Sequence, residues 1–464
     1  MEREDKGLDI GVKSFVTAIV ILFVLMLATY ILTFLIPGGE YARIPDENGN
    51  LVIDVSTGYR AAEGGLPLWK WLLSPLLVLG SEGSGTLIAV IVFLLVIGGV
   101  FNALNVCGLM RYMLDRLVTR FGAVRWRLMA VLIFFFMAMG SLVGSFEEVV
   151  PLVPIVTSLA LGLGWDAATG VAMSLLAAGC GFASGVANPF TVGVAQTLAG
   201  LPMFSGVWLR LLAFACIYAL LFGFVRLHAK RLSGSDVAPV RKSEAEPRKD
   251  RGLRLFAAIL GAGIALVLSS GFIPALRDYT MIIVAVMFLA AGVVSTLASG
   301  MSGKQLGKAF VGGLLTIAPS ILMILMASSI KYTMVEGRIL DTLLYYAVQA
   351  AETMSGAGLI LFVYGICLAM NFFIPSGSAK AFLLIPIIVP LARLFGVSAQ
   401  LCIVAFAFGD GFSNVFYPTN PALLISLGLA DVGYADWAKY SGKFQFLNLL
   451  LTTALLLFGL YVGY

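Results

Sequence analysis

Apolar runs near the roughly 20 residues needed to cross a bilayer recur along the chain, at 14–36, 84–104, 204–227, 253–272, 278–299, 307–330 and 441–462. Polar positions gather between them. The segment 226–254, "RLHAKRLSGSDVAPVRKSEAEPRKDRGLR", is the most polar, and a second basic cluster holds Arg111, Arg116, Arg120, Arg125 and Arg127. The positive-inside rule puts both in the cytoplasm. The stretch 37–66 is long and poor in Lys and Arg, so it reads as an external loop. The stretch 67–83 reads either as interfacial or as dipping into the bilayer.

Composition agrees with this pattern. The chain has 464 residues, 60% hydrophobic and 12% charged, and a mean hydropathy of +0.99. These values describe a multi-pass membrane protein, with the lipid bilayer as one partner and no soluble domain left over. Met1–Lys13 precedes the first run without a small-residue cleavage site, so a retained helix is expected rather than a signal peptide. The net charge of +5 says little about partners, and no nucleic-acid partner is expected. Cys107, Cys180, Cys216, Cys367 and Cys402 are scattered singly and read as buried free thiols. Gly-rich stretches lack the Lys-Ser/Thr ending of a P-loop, no metal-ligand spacing occurs, and no Ser-His pair is available within the membrane. Neither an enzyme, an ATP-driven pump nor a cofactor is therefore expected. His228 is assigned to the cytoplasmic loop, which leaves any intramembrane proton relay to carboxylates.

An internal repeat gives the architecture. A shift of 232 residues, half of 464, lays "LVPIVTSLALGLGWDAATG" from 152 on "LIPIIVPLARLFGVSAQLC" from 384 without a gap. The register carries Pro154 onto Pro386, Gly164 onto Gly396, Gly179 onto Gly411, and Asn188-Pro189 onto Asn420-Pro421. It also superposes Asp166 on Ser398, two residues suited to a helix N-cap. In the first half, 125–143, a break at 144–148 and 149–164 are expected to form a hairpin entering from the cytoplasm, followed by a broken helix over 166–199. Two further spans intervene before the matching hairpin, 356–396, so it should enter from outside; its flank, "KYTMVEGRILDTLLYYAVQAAE", lacks the arginine excess of its counterpart. The expected fold is an all-α polytopic membrane protein of two inverted repeats, each with a re-entrant helical hairpin and a broken transmembrane helix. About nine crossings plus two hairpins are counted. Inverted repeats suit alternating access better than a channel, the second class considered.

Two hairpin tips and two broken helices would converge on one site, where free helix N-termini attract anions and unwound carbonyls attract cations. Glu147 and Glu148, in "GSFEEVVPLVPI", occupy the first tip beside Ser145, and "PSGSAKA" forms the second with Ser376, Ser378 and Lys380. The register sets Glu148 on Lys380 and Ala178 on Asp410, so equivalent positions carry an acid and a base. A zwitterionic substrate needs both signs. On that reading Lys380 and the two serines take a substrate carboxylate, and the acids take an amino or guanidino group, or a proton. The alternative is a structural salt bridge from Lys380 to Glu148 or Asp410. Asn188, Asn414, Thr419 and Asn420 are further site candidates, with Ser184 beside them. Arg210 reads as an anchor near the membrane surface, and Asn102 and Asn105 as hydrogen-bonding links between helices.

The stretches "SFEEVVPLVPI", "GFASGVANPFTVGVAQTLAGLPMFSG", "IPSGSAKAFLLIPIIVPLA" and "FGDGFSNVFYPTNPALL" resemble the anaerobic C4-dicarboxylate carrier family, especially its branch named for basic amino acid antiport, within the ion transporter superfamily. The resemblance covers most of 84–450. It implies a homodimer that moves a small-molecule substrate, an amino acid or a C4-dicarboxylate, by an elevator motion of a transport domain against a fixed scaffold. On that plan 14–121 and 253–350 are scaffold, 122–227 and 351–464 are transport parts, and 228–252 is a cytoplasmic linker. Sodium symporters of the superfamily carry Ser-Asn-Thr at the tips. Here the matching places read Gly144-Ser145-Phe146 and Ser376-Gly377-Ser378, without the asparagine, so a proton or Na+ is left open as coupling ion.

Overall fold

Backbone in hydrocarbon must satisfy its own hydrogen bonds, so long apolar runs fold as helices. The computed structural model describes residues 12–45, 51–53, 58–81, 84–121, 124–144, 146–232, 246–270, 273, 279–351 and 354–464. Among them, eight helices are long and apolar enough to cross a membrane. The longest uninterrupted ones are Val207–Leu232, Gly303–Glu336 and Tyr434–Tyr461.

Two helix-break-helix units and two interrupted helices make up the rest of the core. In the first unit, Arg125–Ala138 runs through a widened turn, Met139–Val143, to a break at Gly144, and the chain returns through a tight turn, Glu147–Leu152, into Val153–Gly162. Glu147 and Glu148 thus open the return limb, where the helix dipole favours acids, instead of lying in the break itself. The second unit pairs Gly356–Phe373 with Gly377–Leu394. The helix over 167–198 is interrupted after Ser184 and restarts at Pro189, and the helix from Ala399 stops at Asp410 and restarts at Pro421.

Local signals explain these boundaries. Asp166 accepts the Thr169 N–H at 2.9 Å and Ser398 the Leu401 N–H at 3.1 Å, as the two N-cap assignments anticipate. Asn188 and Asn420 head the restarted halves in one geometry: each side-chain oxygen accepts the N–H two residues on, from Phe190 and Ala422, at 2.9 Å. Each precedes a proline at the first helical position, where a missing N–H costs nothing. Backbone freed at the breaks finds partners on neighbouring helices. Ser141 serves the Val186 and Ala187 N–H groups, each at 3.0 Å. Gln445, Trp437 and Tyr434 of the last helix donate to the carbonyls of Phe412, Val415 and Phe416 at 2.8, 2.8 and 3.0 Å.

The interrupted helices cross at Gly179 and Gly411, the glycines that the 232-residue shift superposes; a Cβ on Gly411 would strike the backbone of Ala183 and Gly179. Contacts also sort the helix ends into two groups. One gathers Arg125 with the Leu163 carbonyl, Asp166 with His228, and Arg116 with Asp250. The other gathers Gln196 with Gln400, Arg393 with the Ala199 carbonyl, and Ser398 with the terminal Tyr464. The first unit begins and ends at the basic group, the second at the other.

Several sequence readings need correction. The fold is not purely helical, because the loop 37–66 contains two antiparallel ladders, Gly39–Tyr41 with Tyr59–Ala61 and Arg43–Pro45 with Leu51–Ile53. His228 lies within the helix Val207–Leu232, held by Asp166 at 2.8 Å and packed on Tyr440, so the linker begins later than 228. It also ends before 252, since a helix resumes at Pro247. Arg210 is buried rather than an exposed anchor, because the Phe204 and Ser205 carbonyls accept its guanidinium at 3.2 and 3.0 Å. Asn102 does link helices, donating to the Ala309 carbonyl at 2.7 Å.

The crossing yields a stability prediction. Gly411→Ala should cost about 1–3 kcal/mol, the usual price of overpacking. Gly223→Ala, where an added Cβ meets nothing within 4 Å, should be neutral or gain up to about 1 kcal/mol. Thermal unfolding of the two purified variants in detergent checks the difference, and equal melting temperatures would remove the close crossing.

Candidate functional site

At the second break, Ser376 caps the return limb by accepting the Ala379 N–H. One helical turn on, Lys380 turns into the protein and is fully buried. Its ammonium lies 2.9 Å from Asp410 Oδ1, and Asp410 is equally buried. Lys380 also donates to Asn371 Oδ1 from the outgoing limb. The Asn371 amide nitrogen in turn reaches the Asp410 carbonyl at 3.0 Å, Ser413 Oγ at 2.6 Å and Asn414 Oδ1 at 2.9 Å. Asn414 donates back to Asp410 Oδ1 at 3.2 Å, and Asn420 donates to Asn414 at 3.1 Å. A buried ion pair survives only when further hydrogen bonds satisfy its remaining donors and acceptors, and these amides supply them.

The network is not closed. Asp410 Oδ2, Asn188 Nδ2, Thr191 Oγ1 and Thr419 Oγ1 are buried without a hydrogen-bond partner. They border the breaks. A Cβ on Gly377 would meet both Asp410 Oδ2 and the Thr191 methyl at 2.5 Å, and one on Gly144 would meet Asn188 Oδ1 at 2.5 Å. Glycine at these two places lets each tip rest against an interrupted helix. Glu147 opens the return limb of the first unit, and Glu148 Oε2 accepts the Phe146 N–H at 3.1 Å. Both glutamates are half-buried. A cavity of about 660 Å³ reaches Ser376 and Thr419 from the side of Lys331, Tyr332 and Glu336.

The structure therefore brings together Lys380, Asp410, Asn414 and Asn420, whereas Asn188 lies against Gly144 of the first tip and Glu147 and Glu148 open the limb that follows it. Of the two ion pairs left open for Lys380, the one formed is with Asp410. Ser376 is exposed at its cap and Ser378 half-buried beside it. Ser145 lies outside the described residues. Ser184 bonds Ser141 at 3.0 Å and the Gly181 carbonyl at 2.7 Å, a purely internal role. Asn371, Ser413 and Thr191 were missed from sequence. Asn371 had a signal, since it is the one amide in the apolar helix Gly356–Phe373 and sits just before a predicted tip. Among the described residues, no group of three or more His, Cys, Asp or Glu side chains is arranged to hold a metal ion.

Residues 15–461 match the family described as DcuC, C4-dicarboxylate anaerobic carrier. The chain belongs to this family. It is 30% identical over 406 residues to the Escherichia coli (strain K12) protein named "Putative basic amino acid antiporter YfcC", covering 82% of this chain and 79% of that one. An uncharacterized protein of Haemophilus influenzae strain Rd is 25% identical over 371 residues, with 77% of this chain and 73% of that one covered. Among solved structures, the YdaH transporter of Alcanivorax borkumensis aligns over 97% of this chain and 99% of its own, at 20% identity and a TM-score of 0.46. Membership makes this chain a multi-pass integral protein of a membrane transporter family, for which a bacterial inner membrane fits.

Removing one partner of the buried pair tests the site's electrostatics. Lys380→Met leaves Asp410 buried and unpaired and should cost about 3–5 kcal/mol. Adding Asp410→Asn should recover most of that loss. Denaturant unfolding in detergent of the two single variants and the double variant measures the coupling; additive losses would show that the pair contributes nothing as a pair.

Proposed function

We propose that the protein is a secondary active transporter of small carboxylate-bearing metabolites, working as an exchanger that prefers amino acids with a basic side chain. One observation carries this reading: Lys380 is already neutralised by Asp410, whereas among the described residues neither Glu147 nor Glu148 forms an ion pair. The first tip thus carries surplus negative charge, and an amino or guanidino group complements it. A substrate carboxylate has donors at hand in the unpartnered Asn188 amide, Thr191, Ser376 and Ser378, and the helix N-termini that begin at Pro189, Gly377 and Pro421. The E. coli relative named for basic amino acid antiport agrees with this choice. The family description favours the second reading, a C4-dicarboxylate carrier coupled to protons or sodium. A dianion approaching these acids would require them to be protonated first.

The transport cycle we infer is alternating access by an elevator motion within a homodimer, with the two units as oppositely inserted re-entrant hairpins. The sorting of helix ends into two groups supports opposite insertion, and so does the meeting of Gly179 with Gly411 at equivalent repeat positions.

Two measurements test these points. In a background lacking the native cysteines, Leu161→Cys and Phe395→Cys should react with an impermeant maleimide from the cytoplasmic and external sides respectively. Labelling of both from one side would end the inverted arrangement. In proteoliposomes, arginine or ornithine counterflow should exceed that of succinate. At least one of Glu147→Gln and Glu148→Gln should lower it by more than about tenfold while the protein still elutes as the parent, the loss expected on truncating one side of a desolvated charge pair. Succinate uptake that rises on acidification, without competition from amino acids, would favour the dicarboxylate reading instead.

A further inference from the structure

Away from the tips, a second cavity of about 810 Å³ opens at the basic end of the bundle. Its size falls within the ~300–1,000 Å³ of sites that enclose small organic ligands. Three elements wall it: the first helix-break-helix unit through Phe135 and Ile155, the helix Pro247–Ser270 through Phe256, Leu260 and Ile264, and the amphipathic helix Leu109–Phe121 through Met113. This lining is apolar except at one rim. There Arg116, Arg254 and Asp250 stand together. Arg116 shares Asp250 with Tyr112, at 3.1 and 2.6 Å. Arg254 is exposed, donates to the Asp250 carbonyl of its own helix at 3.3 Å, and forms no ion pair among the described residues. The same helix start carries Arg248, Lys249 and Arg251, so four bases face two acids, Glu246 and Asp250, over 246–254.

We propose that this cavity binds an anionic phospholipid of the leaflet at the basic end, its acyl chain between the first unit and the helix Pro247–Ser270 and its phosphate on Arg254 and Arg116. Two features on the page commit the site to this occupant. An apolar slot between membrane-embedded helices suits a hydrocarbon chain, and a basic rim at the end where positive charge concentrates meets the headgroup layer. A water-soluble anion would use the rim and leave the slot without a ligand. Asp250 does not cancel the rim, because Arg116 already pairs with it and Arg254 remains in excess. The site is separate from the tips and makes no use of the substrate assignment.

Native mass spectrometry of the delipidated full chain tests the proposal, with dioleoylphosphatidylglycerol, dioleoylphosphatidylcholine and glycerol phosphate as probes. The parent should retain the phosphatidylglycerol about tenfold better than the phosphatidylcholine. Arg254→Gln, which gives up only a bond within its own helix, should reduce that preference about fivefold. Ala257→Trp, which fills the slot, should weaken both lipids. Equal retention of the two lipids by the parent would overturn the proposal, and so would an unchanged preference in Arg254→Gln. Glycerol phosphate binding as tightly as phosphatidylglycerol would overturn it in favour of a soluble anion.

Discussion

A charge buried in an apolar bundle must meet its opposite, and here that requirement fixes how the second half of the chain is put together. Lys380 stands on the return limb, Asn371 on the outgoing limb and Asp410 at the end of an interrupted helix, so one cluster locks three elements in register. The desolvation cost of each ion is several kcal/mol, and the pair offsets it only with its other hydrogen bonds made. That is why the Asn414 amide joins Lys380 on one carboxylate oxygen, while Asn371 accepts from Lys380 and donates to the Asp410 carbonyl and to Asn414. It is also why the other oxygen, Oδ2, is conspicuous: it faces the tip glycine with nothing to bond.

The first half solves the same geometric problem without charge. Its broken backbone is held by Ser141, whose hydroxyl and carbonyl serve Val186 and Ala187 and whose contact with Ser184 is neutral. Gly144 rests on Asn188 much as Gly377 rests on Asp410. The acids of this half lie at the start of the return limb, half-buried rather than sealed. The charges behind the second tip are therefore neutralised within their own half, and the first tip keeps ionisable groups that form no ion pair among the described residues.

Much of this was legible in the sequence because it depends on local rules. Paired Asn-Pro steps, acidic and hydroxyl N-caps and a gapless repeat located both interruptions to within a few residues, and the crossing glycines are equivalent in the repeat. Side-chain pairing was not legible, because it depends on which faces meet. Lys380 had two acids to choose from, and only the packing of its limb on the helix ending at Asp410 decides between them. His228 looked like loop because arginines and lysines follow it closely, yet burial of Val225 and Ala229 carries the helix onward to Leu232. Arg210 looked like a surface anchor because sequence does not show that two loop carbonyls fold back over it.

The asymmetry between the halves bears most directly on the proposed transport. At the place where the second half has Asp410 the first has Ala178, and where the second has Lys380 the first has Glu148. Were Asp410 an alanine too, Lys380 would lose its buried partner and would have to seek a countercharge at the first tip, where Glu147 and Glu148 form no ion pair among the described residues. Such a pair between the tips would take up one of the two glutamates and leave a single acid for a cationic substrate to meet. Asp410 prevents this by holding Lys380 within its own half. On this view its contribution to selectivity is indirect: without touching a substrate, it decides that the acids at the facing tip remain unpaired.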